Sequence, residues 1–196
     1  MSGIQGVLLA AGSASRFGSD KLMHKLDDGT PIALASARHL LAALPGSLAV
    51  VRSGRSELAV LLREAGLAVV ECAEASEGMG RSLAAAVSAS REARGWVVAL
   101  ADMPFIRPQT IRLVAERVLA GDGIVAPFFQ GTRGHPVGFD ASFRERLESL
   151  RGDAGARSLL REPERRLTAL AVDDPGVLRD IDTPQDLPGA NDAAQG

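Results

Sequence analysis

The residues of this chain best equipped for chemistry are two cations and an acid that each follow an apolar run. Leu9-Ala10-Ala11-Gly12-Ser13-Ala14-Ser15-Arg16-Phe17-Gly18 leaves an apolar segment directly, and Lys21 comes three residues later. A parallel strand delivers its C-terminal end to the rim where open α/β sheets bind ligands. Backbone N–H groups of a small-residue loop there approach phosphate oxygens closely, and Ser13, Ser15, Arg16 and Lys21 add side-chain donors and positive charge. The set suits a polyphosphate; it also reads as a solvated loop with ordinary surface cations. Two familiar glycine motifs fail on spacing. No lysine follows Gly18 directly, so this is not a G-x-x-x-x-G-K-[ST] loop, and Gly78-Met79-Gly80 has Leu83 where G-x-G-x-x-G needs its third glycine.

The acid is Asp102, in Ala101-Asp102-Met103-Pro104 at the end of the apolar run Trp96–Leu100. A carboxylate on the same rim as a cationic loop makes sense if Mg²⁺ bridges it to phosphates, because Mg²⁺ is held by one or two carboxylates plus substrate oxygens. A second acidic turn, Asp180-Ile181-Asp182-Thr183-Pro184-Gln185-Asp186-Leu187, reads as a helix start with Asp182 or Thr183 near the cap and Pro184 in the first turn. In that reading Asp182 is a cap and Asp186 a solvated first-turn carboxylate.

The elements that must position these groups alternate. Short apolar runs at Gly6–Ala10, Leu48–Val51, Leu67–Val70, Trp96–Leu100, Gly123–Ala126 and Leu167–Val172 are separated by helically spaced segments at Ile32–Leu44, Glu57–Ala65, Arg81–Ala93 and Gln109–Leu119. This predicts an α/β fold with a largely parallel sheet covered on both faces. Pro108 suits the first turn of the last helix. Phe128–Phe139, with Gly131, Gly134, Pro136 and Gly138 around Arg133 and His135, breaks both periodicities and predicts a loop and a short strand. One domain over residues 1–187 is expected, with Pro188–Gly196 a frayed tail.

Composition narrows the partners. The 196 residues carry a net charge of −2, so no global basic field holds nucleic acid, and six Phe and one Trp without Tyr offer few stacking platforms. No apolar run approaches the roughly 20 residues of a membrane helix, and no secretory signal pattern is present, so a cytoplasmic location with no membrane partner is expected. A single cysteine, Cys72, reads as a bland strand-end residue, and three histidines without zinc spacing make a zinc site improbable.

Six short pieces in order, namely Leu9–Gly18 with Lys21, Gly78–Leu83, Ala101–Pro104, Gly134-His135-Pro136, Gly152–Arg157 and Asp180–Leu187, resemble the nucleotidyltransferases of the molybdenum cofactor pathway. The closest resemblance is to the molybdenum cofactor cytidylyltransferases, over Ile4–Leu187. It implies a Rossmann-like nucleotidyltransferase fold of the nucleotide-diphospho-sugar transferase type. It also implies a reaction: CTP and molybdopterin give the cytosine dinucleotide cofactor and pyrophosphate, with Mg²⁺. Arg16 and Lys21 would neutralise charge on the phosphates, and Asp102 and Asp182 would hold the metal. Loop residues Gly12, Ser13 and Ser15 would wrap the triphosphate. Base choice would fall to the backbone of Ala10 and Ala11 and to the turn containing Gly78, Gly80 and Ser82, with Ser82 bonding a pyrimidine edge or simply standing at a helix start. Related guanylyltransferases tend to open with Leu-x-Gly-Gly; Ala11 in the place of its first glycine favours CTP over GTP.

His135 would contact the pterin or an acceptor phosphate, or serve as a turn residue. Asp153 and Arg157 would line the acceptor pocket or cap a helix, and Lys25 would be a backup contact. Relatives commonly carry a Leu-Leu-Pro type segment where this chain has Leu22-Met23-His24-Lys25-Leu26, in which His24 reads as exposed. Lys21 is expected as an exposed rim lysine of small weight in folding. Two other functions remain open: nucleotidyl transfer from CTP or GTP to another phosphate acceptor, and a non-catalytic carrier that delivers the mature cofactor to a recipient molybdoenzyme.

Overall fold

The computed structural model describes residues 3–12, 20–152 and 167–187. Strands β1 (Ile4–Ala10), β2 (Leu48–Arg52), β3 (Ala68–Cys72) and β4 (Gly95–Leu100) run parallel in the order β3-β2-β1-β4. Beyond β4 come β5 (Ile124–Phe129), β6 (Thr132–Arg133) and β7 (Val137–Asp140), with β7 antiparallel between β4 and β5. A last strand, β8 (Leu167–Ala171), pairs parallel with β5. The fold is thus the expected α/β arrangement, with a mostly parallel but mixed sheet.

The antiparallel insertion is local chemistry at work. Gln130 and Gly131 both have positive φ, 49° and 80°, and join Phe129 to Thr132. Two positive-φ residues make the hairpin turn whose twist matches the flanking strands, so the chain reverses instead of crossing over. The segment expected as a loop and a short strand therefore yields two strands, and the second enters the sheet interior with Phe139 fully buried.

Helices α1 (Ile32–Ala43), α2 (Ser56–Glu64) and α4 (Pro108–Leu119) cover one face of the sheet, where Leu40, Leu62, Ile111 and Val114 meet Leu8 of β1. Helices α3 (Met79–Ala89) and α5 (Arg144–Glu148) cover the other, where Leu83, Val87 and Leu147 meet Val7. Adjacent residues of β1 thus serve opposite faces, which is why its run is apolar without alternation. Pro108 stands in the first turn of α4 as expected, and Cys72 is buried at the end of β3. Among the described residues no helix is long and apolar enough to cross a membrane.

What matters for function is how the chain's last described segment returns to the rim. Asp174, 2% exposed, accepts hydrogen bonds from the Arg107 N–H (2.9 Å), the Thr110 hydroxyl (2.6 Å) and the Gly176 N–H (3.1 Å), tying this segment to the start of α4. Gly176 lies so close that a Cβ there would stand 2.1 Å from the Phe105 carbonyl oxygen. Ile181, fully buried against Ile32, donates its N–H to the Asp102 carbonyl at 2.9 Å. This places Asp182 beside Asp102. Gly176→Ala should therefore lower unfolding free energy by about 1–3 kcal/mol through overpacking, a loss that urea denaturation would read directly.

Candidate active site

The parallel strands end at one rim, and a cavity of about 320 Å³ opens there. Ala11 and Gly12 leave β1 on its wall, Arg52 ends β2, and Asp102 follows β4; Gly78 and Ser82 come from the start of α3, and Lys21 and Asp182 close the side. Gly78 has φ 122°, a conformation suited to glycine, and it turns the chain from the preceding 3₁₀ segment into α3.

Lys21 organises the cavity's charge. It opens a short 3₁₀ turn, Lys21–Met23, anchored by buried Leu22. Its Nζ donates to Asp102 Oδ2 and to Asp182 Oδ1, each at 2.9 Å. The lysine side chain is 11% exposed, against 25% for Asp102 and 48% for Asp182. Burial alone pulls the ammonium pKa down. The hydrogen bond to Asp182, the charge of and hydrogen bond to Asp102, and the charge of Asp182 outweigh it, leaving Lys21 above its ordinary 10.5. The expectation of an exposed lysine is corrected: two carboxylates draw the side chain inward and its stem is covered.

Asp186 does more than sit in solvent. Its Oδ2 accepts from the Asp182 N–H (3.0 Å), the Thr183 N–H (2.7 Å) and the Thr183 hydroxyl (2.9 Å). The Thr183 hydroxyl first, then the Thr183 N–H, hold the Asp186 carboxyl below the usual range. The expected helix is only the 3₁₀ turn Pro184–Asp186. Asp186 closes that turn, which leaves the Asp182 carboxylate to face Lys21.

A family model described as the MobA-like NTP transferase domain matches residues 6–168. The chain belongs to that family. It is 29% identical over 191 residues to the purine catabolism protein PucB of Bacillus subtilis (strain 168), covering 92% of each chain. It is also 29% identical over 199 residues to the nicotine blue oxidoreductase of Paenarthrobacter nicotinovorans, covering 94% of each. Among solved structures, Rv0371c of Mycobacterium tuberculosis H37Rv superposes with a TM-score of 0.79 at 28% identity, covering 93% of this chain and 94% of that one. The same protein has been crystallised in complex with manganese. The family confirms the resemblance to molybdenum cofactor nucleotidyltransferases.

In this MobA-like domain the expected site residues divide. Ala11, Gly12, Lys21, Gly78, Ser82, Asp102 and Asp182 share the cavity wall. Ala10 is buried at the end of β1, off that wall. Gly80 is also off it; its N–H bonds the Gly152 carbonyl at 3.0 Å, and a Cβ would crowd that carbonyl at 2.9 Å. His135 sits before β7 with its N–H on the Val177 carbonyl (3.0 Å), on the same rim but on the other side of β4 from the cavity. His24 and Lys25 are exposed. Ser13, Ser15, Arg16, Asp153 and Arg157 lie outside the described residues. Among the described residues no cluster of three or more His, Cys, Asp or Glu side chains could hold a metal, so Asp102 and Asp182 stand as a pair.

Two cations on the wall, Arg52 and Arg55, escaped sequence reasoning. Arg55 pairs with Asp20. The available signal was their place at the end of the second parallel strand, on the same rim as the glycine loop.

The lysine gives a pH test. A raised folded-state pKa stabilises below the unfolded value, and that contribution is lost as pH rises through the folded one. In metal-free buffer the stability advantage of wild type over Lys21→Met should be constant from pH 7 to about 9 and shrink above 10.5, as followed by denaturant titrations at each pH.

Proposed function

We propose that this member of the MobA-like family transfers CMP from CTP to the molybdenum cofactor, giving the cytosine dinucleotide form and pyrophosphate, with Mg²⁺ as the metal. The observation that carries the reading is that Asp102 and Asp182, far apart in sequence, hold one cation between them at 2.9 Å on the edge of a rim cavity.

The residues present fit a divalent metal. Two carboxylate oxygens already converge on a point occupied by positive charge, and hard oxygen donors with room for substrate oxygens suit Mg²⁺. When bound, the metal would neutralise phosphate charge at the reacting centre. Asp102 and Asp182 would hold it. Lys21 would give up its two carboxylates and turn its ammonium to the phosphate oxygens, so one side chain serves as counter-ion in the free protein and as phosphate ligand in the complex.

No protein nucleophile is required. An oxygen of the acceptor's terminal phosphate attacks the α-phosphorus of CTP, the bond from that phosphorus to the β-phosphate oxygen breaks, and pyrophosphate leaves with the electron pair. Lys21 and Arg16 stabilise charge growing on the transferring and leaving groups. The chain's main contribution is holding donor and acceptor in line. Ala11 and Ser82 shape the base end of the cavity toward a pyrimidine. The acceptor would approach over the β4–β7 side of the rim, where His135 stands.

Pyrophosphate release from the four nucleoside triphosphates with Mg²⁺ and molybdopterin-bound molybdenum tests this. CTP alone should be turned over, and Asp102→Asn should lower kcat by about 100-fold or more with the fold retained. Turnover with GTP, or only with a simpler phosphate acceptor, would reassign the substrate, and silence with all four would return the protein to a carrier role.

A further inference from the structure

Arg52 stands out among the cavity's cations. Lys21 is held by two aspartates and Arg55 by Asp20. Among the described residues Arg52 forms no ion pair and its buried Nε has no hydrogen-bond partner. On the same wall, Ser82 is 2% exposed. A desolvated donor without an acceptor is unfavourable, so the Arg52 end of the cavity is built to receive acceptor atoms from a ligand.

The ligand's orientation follows from the sheet. Asp102 follows β4 and Arg52 ends β2, with β1 between them. Two strand spacings separate the two positions, about 10 Å, so a molecule whose phosphates lie at the Asp102–Lys21 end reaches Arg52 with its far end. The wall in between is apolar, with Leu9, Ala11, Leu100 and the half-exposed Met79 offering a surface for a flat ring. A second phosphate group at Arg52 would find no such need for an apolar wall.

We propose that Arg52 is a specificity-determining residue that reads the nucleobase. This rests on the nucleotide reading of the site given above. A guanidinium only donates, and in a planar fork. It matches two adjacent acceptors, the O2 and N3 of cytosine, whereas uracil places an N–H at N3 against one arm of the fork. Guanine also offers an adjacent acceptor pair, O6 and N7; the comparison that isolates Arg52 is CTP against UTP, where ring size is constant and only the edge differs. Ser82 supplies a further hydroxyl at the same end.

The experiment is equilibrium dialysis of labelled CTP and UTP in Mg²⁺ against wild type, Arg52→Met and Arg52→Lys, with pyrophosphate as competitor and a thermal melt of each variant. Wild type should prefer CTP by tenfold or more. Arg52→Met should bring CTP down to the UTP level with UTP and pyrophosphate binding unchanged, and Arg52→Lys, which keeps the charge but loses the fork, should not restore the preference. Equal weakening of CTP, UTP and pyrophosphate would make Arg52 a phosphate ligand and overturn the proposal, as would an unaltered CTP to UTP ratio. If wild type bound neither CTP nor UTP, the nucleotide reading itself would fall and this inference with it; a wild-type preference that survives Arg52→Met would defeat this inference alone.

Discussion

The Asp102–Lys21–Asp182 interaction is the constraint around which the rim is arranged. Two carboxylates brought this close repel each other unless a cation lies between them, and Lys21 supplies it with two 2.9 Å hydrogen bonds. The pair is half in solvent on the Asp182 side and nearly buried on the lysine side, so the interaction is firm enough to preform the site and open enough to be exchanged. A site assembled on its own cation avoids both an uncompensated acid pair in the free protein and a large rearrangement when a metal and phosphates arrive.

The rest of the fold serves that meeting. Four parallel strands set their ends on one rim, which brings the residues after β1, β2 and β4 to one cavity without long loops. Asp182 comes from the other end of the chain and needs separate fixing. The buried Asp174, the close approach of Gly176 to Phe105, and the Ile181 N–H on the Asp102 carbonyl supply it in sequence. Asp186 then closes the last turn so that Asp182 points back at Lys21. Each of these contacts is structural by itself, and together they fix a carboxylate beside a partner that precedes it by most of the chain.

Much of this was legible in the sequence because it is local. Apolar runs and helical spacing located six of the strands and four of the helices, and Gly12, Lys21 and Asp102 declared themselves by following strands. The hairpin at Gln130-Gly131 was not, because its outcome depends on positive φ at both residues and on a gap between β4 and β5 that only the sheet defines. Lys21 was misread as exposed because its burial comes from acids remote in sequence. Arg52 went unread for a similar reason: its place at the end of β2 was visible, but an arginine there looks like surface charge until the cavity shows its Nε buried without a hydrogen-bond partner among the described residues. Gly80, grouped with the binding turn by its sequence neighbours, serves packing against Gly152.

The central claim is that one point between two carboxylates accepts either the lysine or a divalent ion. Titration of Mn²⁺ into the nucleotide-free protein, with free ion followed by electron paramagnetic resonance, tests it most directly. Lys21→Gln should bind Mn²⁺ at least about tenfold more tightly than wild type, since a competing internal cation worth about 1.4 kcal/mol or more has gone, and adding Asp182→Asn to that variant should reverse the gain. Equal or weaker Mn²⁺ binding in Lys21→Gln would show that lysine and metal do not share the site and would contradict the account.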